Sequence, residues 1–179
     1  MKALVLLSTA VLAASAQAQK TAPASAKDPS AAPLVKIKSG ALPFAVSLPQ
    51  GWVGINLKDG LGGVTIASQA QPPAALIRLL FIPKNGKVID LKNEFKSFEA
   101  AVKESGSTMT LQSEKAANYG GVSGLMRQYS IKNKTGTLAM RVWFGNGAKN
   151  FYSFQLTVPS DMFAKMNPLF DKVLATVDF

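Results

Sequence analysis

From Phe44 onward the apolar residues come in short runs, and each run stops at glycine, proline or asparagine. Phe44-Ala45-Val46-Ser47-Leu48 alternates with a period of two, as a half-buried strand does, and Pro49-Gln50-Gly51 ends it. Gly62–Ala67 makes a second strand, and Ala75 to Ile82 is apolar almost throughout. A strand of that last kind is covered on both faces, which calls for a layer above and below the sheet. Four more strands are predicted at about Thr108–Glu114, Val122–Ile131, Thr137–Phe144 and Asn150–Val158. Asn118-Tyr119-Gly120-Gly121, Asn133-Lys134-Thr135-Gly136 and Asn146-Gly147 separate them. Asn-Gly tolerates the positive φ that tight hairpins need, so these strands form an antiparallel meander.

The period changes twice. Leu91, Phe95, Phe98 and Val102 recur at helical spacing, with Asp90 placed to cap the first amides and Gly106 to end the helix. Burying those four side chains contributes roughly 6–12 kcal/mol as an upper bound. Lys92, Glu94, Lys96, Glu99, Lys103 and Glu104 mark a solvated face, with Glu99 and Lys103 as a supporting pair four residues apart. Met162, Phe163, Met166, Leu169, Phe170, Val173 and Leu174 predict a C-terminal helix. Proline deep inside a helix breaks a hydrogen bond, so Asn167 reads as the cap and Pro168 as the first position. Ser160 then caps a short turn before it.

The first 40 residues follow neither period, apart from Leu34-Val35-Lys36-Ile37, whose weak alternation suits a short edge strand. Met1-Lys2, an apolar run from Ala3 to Ala14 broken only by Ser8 and Thr9, and Ala16-Gln17-Ala18 form the three parts of a cleavable secretion signal. The run is shorter than the about 20 apolar residues a spanning helix needs. The expected mature chain is exported, periplasmic or secreted, begins at Gln19 and has no transmembrane segment. Residues 19–40, rich in Ala, Pro, Ser and Lys, read as a flexible spacer, and 41–179 as one α+β domain.

Composition narrows the chemistry. There is no cysteine, hence no disulfide, thiolate ligand, cysteine nucleophile or lipidated N-terminal cysteine. There is no histidine, which removes Ser-His-Asp machinery and His-based metal sites. No cofactor and no metal are expected. The formal charge of +10 favours anionic partners. Only Arg78, Arg127 and Arg141 among the 20 basic residues are arginines, and specific phosphate and base readers rely on arginine's planar fork. The surface therefore predicts diffuse attraction, without specific nucleic-acid binding.

The order of elements resembles the PsbP-like superfamily, which includes the extrinsic photosystem II subunit and bacterial envelope proteins of the DcrB type. The likeness starts at Phe44-Ala-Val-Ser-Leu-Pro-Gln-Gly-Trp52 and continues through the helix at Leu91–Ser105 and Gly124…Arg127-Gln-Tyr129. It closes with Phe151-Tyr-Ser-Phe-Gln-Leu, the Pro168–Thr176 helix and Val177-Asp-Phe179. No single motif is diagnostic, and the likeness rests on their order. The resemblance implies a single antiparallel β-sheet flanked by helices on both faces, a three-layer α/β/α sandwich. It also implies a binding or assembly protein rather than an enzyme, and it transfers no functional residue.

Three constellations remain. Lys58-Asp59-Gly60-Leu61-Gly62-Gly63 is glycine-rich, but a strand follows it where a phosphate cradle needs a helix, so it reads as a hairpin loop. The acids form no D-x-D-x-D-G loop, and only a carboxylate pair assembled by folding would support glycosidase-type hydrolysis. If the second hairpin of the meander pivots on Lys134, Arg127 faces Arg141 and Tyr129 faces Ala139 beside it, with Trp143 on the same face. Two arginines among aromatics on one face would hold an anionic or aromatic ligand, unless their stems merely snorkel over the core. Glu114 is the nearest strand acid able to relieve their repulsion. The expected function is a non-catalytic exported binding or assembly domain with a protein or anionic envelope partner. The alternatives are a small-ligand carrier using a sheet–helix pocket and a carboxylate hydrolase.

Overall fold

The computed structural model describes residues 28–179 except 38 and 73. The secretion signal, its cleavage point at Ala18/Gln19 and the start of the spacer lie outside the described residues. After a 3-10 turn at Pro29–Ala31, strands run as β1 Leu34–Ile37, β2 Val46–Pro49, β3 Val53–Gly54, β4 Gly62–Ala67 and β5 Leu76–Pro83. Helix α1, Leu91–Glu104, precedes β6 Thr108–Tyr119, β7 Val122–Asn133, β8 Gly136–Asn146 and β9 Asn150–Pro159. Helix α2, Phe163–Ala175, follows.

All strand pairing is antiparallel, in the order β3-β4-β5-β9-β8-β7-β6. Two hairpins build one half. Helix α1 then carries the chain to the far edge, and the meander returns until β9 pairs with β5. The single sheet expected from the sequence is corrected: β1 and β2 pair only with each other in a separate two-stranded sheet. The reason is local. The Ser47 amide donates to Thr176 Oγ1 (2.8 Å) at the end of α2, and only Ala45 reaches further, in a bridge to Asp178. A helix end thus occupies the position a neighbouring strand would need. β1 also shows that part of the segment read as spacer pairs with the domain.

Alternation along the strands divides the core into two clusters. Ile77, Leu79, Trp143, Phe154 and Leu156 pack with Met166, Leu169, Phe170, Val173 and Leu174 of α2. Tyr129, Ile131, Val142, Phe144 and Phe151 pack with Phe95, Phe98 and Val102 of α1. Consecutive residues Val142, Trp143 and Phe144 therefore belong to alternate clusters.

Asp90 caps α1 as its sequence predicts, accepting from the Lys92 and Asn93 amides. The C-terminal helix departs from expectation. It begins at Phe163, and Pro168 lies inside it. Proline removes the amide that would bond the Ala164 carbonyl. Both residues are exposed, so that carbonyl is on the solvent side while the opposite stripe of α2 is buried.

Candidate functional site

The β7–β8 hairpin closes on the pair Asn133–Gly136, with Lys134-Thr135 as its two-residue loop. Asn133 Oδ1 accepts from the Thr135 amide (2.9 Å) and hydroxyl (2.8 Å), which fixes the turn. The register places Gln128 opposite Arg141 and Arg127 opposite Val142, not Arg127 opposite Arg141. Tyr129 faces Met140 rather than Ala139. The expected four-residue face is corrected accordingly: a one-residue slip sends a whole strand's side chains to the other side. Arg127 and Tyr129 join the α1 cluster side, and Arg141 and Trp143 join the α2 side.

Arg127 is enclosed. Its guanidinium binds Glu99 of α1 (2.8 Å) and Glu114 of β6 (2.5 Å) and lies 4.4 Å above the Phe95 ring. The Tyr129 hydroxyl donates to the same Glu99 oxygen at 2.8 Å. Glu99 therefore turns to the sheet, and the expected Glu99–Lys103 pair is absent among the described ion pairs. Burial opposes the Arg127 charge, but its bonds to Tyr129 and Glu114 outweigh this and raise its pKa above the usual arginine value. Burial, reinforced by Glu99, raises the Tyr129 phenol well above its ordinary range.

Arg141 donates to Asn167 Oδ1 (2.7 Å) and pairs with Asp171 (2.7 Å), both on α2, with Phe170 5.9 Å away. Asn167, read as a cap, is instead this arginine's partner within the helix. Trp143 is fully buried, and its indole nitrogen donates to the Ala117 carbonyl at 3.1 Å. Gly124 and Gly145 pair directly beneath it, and a Cβ on either would collide with the indole. That glycine pair is the sequence signal for the buried indole. Neither half leaves an open guanidinium for a ligand.

The other candidates also resolve into structure. Asp59, in the glycine-rich loop, accepts from the Leu61 amide and pairs with buried Arg78. Burial lowers the Arg78 pKa, and Asp59 works the other way. Glu99 and Glu114 are brought together, but Arg127 occupies the space between them. Among the described residues no group of three His, Cys, Asp or Glu side chains could hold a metal, and no helix is long and apolar enough to cross a membrane.

One cavity, about 760 Å³ and open on one side, lies beside the Pro49-Gln50-Gly51-Trp52 turn. Trp52, Gln50, Asp28, Pro33 and Ser68 help to line it, and the buried Trp52 Nε1–H has no hydrogen-bond partner among the described residues. It sits between the first 3-10 turn and the β2–β3 turn, not between the sheet and a helix.

No protein-family model matches this chain, and no curated protein matches it. Solved structures do. Cyanobacterial PsbP (CyanoP) from Synechocystis sp. PCC 6803 is 15% identical with a TM-score of 0.60, covering 88% of this chain and 96% of that one. PA94 of Pseudomonas aeruginosa, a protein of unknown function, is 12% identical with a TM-score of 0.53 over 80% and 94% of the two chains. LpqN, involved in cell envelope biogenesis of Mycobacterium tuberculosis, is 15% identical with a TM-score of 0.50 over 82% and 90%. The strand order, the two helices and these neighbours agree with the likeness carried by the sequence motifs: this chain has the PsbP-like fold.

Proposed function

We propose that this protein is a non-catalytic, exported binding or assembly domain that acts at the cell envelope through a protein or anionic partner. The observation that carries this reading is the division of its basic residues. Arg78, Arg127 and Arg141 are each held by carboxylates within the fold. Among the described residues no lysine enters a salt bridge, and lysines such as Lys87, Lys92, Lys96, Lys132 and Lys149 are exposed. Such a surface attracts anions broadly without a fixed catalytic geometry. The layered architecture supports a scaffold role: we read the α1 and α2 clusters as covering opposite faces of the seven-stranded sheet, three layers in all. LpqN's part in envelope biogenesis agrees with this assignment.

The small-ligand carrier is the second reading, favoured by the unpartnered Trp52 indole beside a cavity within the usual ligand-site range of about 300–1,000 Å³. Co-sedimentation with isolated envelope fractions at low and high salt, alongside a panel of hydrolase substrates, tests the main reading. Binding that salt releases, with no turnover, is expected. Turnover abolished by a single Glu→Gln change overturns it.

A further inference from the structure

The β5–α1 loop carries the most exposed large apolar side chain described: Val88, at 95%. The loop is not loose. The Lys84 amide donates to the Lys149 carbonyl (2.9 Å), and the Lys84 ammonium binds Asn146 Oδ1 (2.8 Å) and the Gly147 carbonyl (3.0 Å). The Lys87 amide returns to the Lys84 carbonyl (2.9 Å), and Asn146 Nδ2 reaches the Ile89 carbonyl (3.4 Å). Asn85 and Gly86 both take positive φ to make this turn. Loop and β8–β9 turn are thus tied into one tip at one end of the sheet.

The tip is basic. Lys84, Lys87, Lys149 and, at the start of α1, Lys92 belong to it, against Glu94 in the same first helical turn and one acid in the loop itself, Asp90. That carboxylate already accepts from the Lys92 and Asn93 amides and from Asn93 Nδ2. We propose that this tip is a docking point on an anionic lipid surface, with Lys87 and Lys149 meeting headgroups and Val88 entering the headgroup boundary. The inference rests on the anionic-partner reading above and names the partner. Protein interfaces are anchored by aromatic and arginine side chains set in pockets, and this tip has neither. An apolar apex with flexible lysines fits a laterally fluid layer of negative headgroups, where each lysine adds attraction that salt weakens.

The test is partitioning of the purified protein onto vesicles of phosphatidylcholine alone or with one-third phosphatidylglycerol. Binding only to the anionic vesicles, weakened by added salt, is expected. Val88→Ser should lower it about fivefold, and Lys87→Glu with Lys149→Glu at least about tenfold, judged from one apolar side chain and the per-lysine surface attraction. Lys132→Glu with Lys134→Glu, at the far end of β8 and about 30 Å away, is the charge-matched control and should cost less than about threefold. Circular dichroism checks that each variant folds. Equal losses at both ends, or a Val88→Ser protein that binds like the parent, overturn the docking point. Retention by envelope fractions without vesicle binding makes the partner a protein, overturning this inference and leaving the broader reading intact. Failure on both removes both.

Discussion

Arg127 and Arg141 stand on adjacent strands, one residue out of register, and each lies near an aromatic ring and reaches a carboxylate on a helix. Their surroundings differ in kind. Arg127 has two carboxylates, from α1 and β6, with side chains 27% and 33% exposed, and it rests on Phe95. Arg141 has one carboxylate whose side chain is 50% exposed, a neutral amide, and a more distant ring. On the Arg127 side, charge adds to the packing of Phe95, Phe98 and Val102 in tying α1 to the sheet. On the Arg141 side, the apolar stripe of α2 packs into the cluster that holds Trp143, and the arginine pairs with the helix at the rim. Similar residues acquire different work from the face on which they land.

The largest expected effect tests the aromatic side. Trp143→Ala should cost about 3–5 kcal/mol in urea unfolding, because transfer and cavity terms add. Gly124 and Gly145 offer no side chain to collapse into the space. A loss under about 2 kcal/mol would mean that the α2 side repacks easily and is not anchored by the indole.

The next effect compares the arginines directly. Arg127→Ala leaves Glu99 and Glu114 facing each other without their shared cation, at about 2–3 kcal/mol after allowance for their partial exposure. Arg141→Ala should cost only about 1 kcal/mol, since water can take over Asp171. Equal losses would erase the distinction between the faces.

Much of the fold was legible because it rests on period. The alternating strands, the doubly apolar β5, and α1 with its Asp90 cap each follow from residues a few positions apart. The candidate site was not legible, because it hung on one hairpin's closing pair. Asn133-Lys134-Thr135-Gly136 allows several pivots, and choosing Lys134 instead of the Asn133–Gly136 pair reversed the side on which Arg127 lies. Glu99 shows the same limit: helical spacing gives it Lys103, whereas tertiary packing gives it Arg127 and Tyr129. Pro168 lies inside α2 because the buried stripe of the helix outweighs the local cost of a proline, which sequence position alone does not reveal.

Titration sharpens the comparison on the Arg127 side. The folded Tyr129 phenol holds its proton above the ordinary value of 10.0, chiefly through burial. The folded state therefore binds more protons than the unfolded chain once pH exceeds that value, and stability falls as pH rises. Below it, no stability is lost through this group. Tyr129→Phe should give a shallower decline above about pH 10, measured by urea unfolding across the alkaline range. Some slope should persist, because burial also raises Tyr119, on the Arg141 side. An unchanged slope would mean that the Tyr129 environment opens before the phenol ionises.

The smallest effect concerns salt. Double-mutant cycles isolate each ion pair from the packing of its arginine stem. The Arg127–Glu99 coupling should be about 1–2 kcal/mol, and the Arg141–Asp171 coupling about 0.5 kcal/mol, because half-exposed carboxylates gain little from pairing. At about 1 M salt the screening length falls to about 3 Å, which reaches half-exposed Asp171 through solvent but reaches the less exposed Glu99 less. The Arg141 coupling should then approach zero while the Arg127 coupling keeps most of its value. If both decline in proportion, solvent reaches both centres alike, and the contrast between a charge-tied face and an aromatic-tied face fails at its electrostatic half.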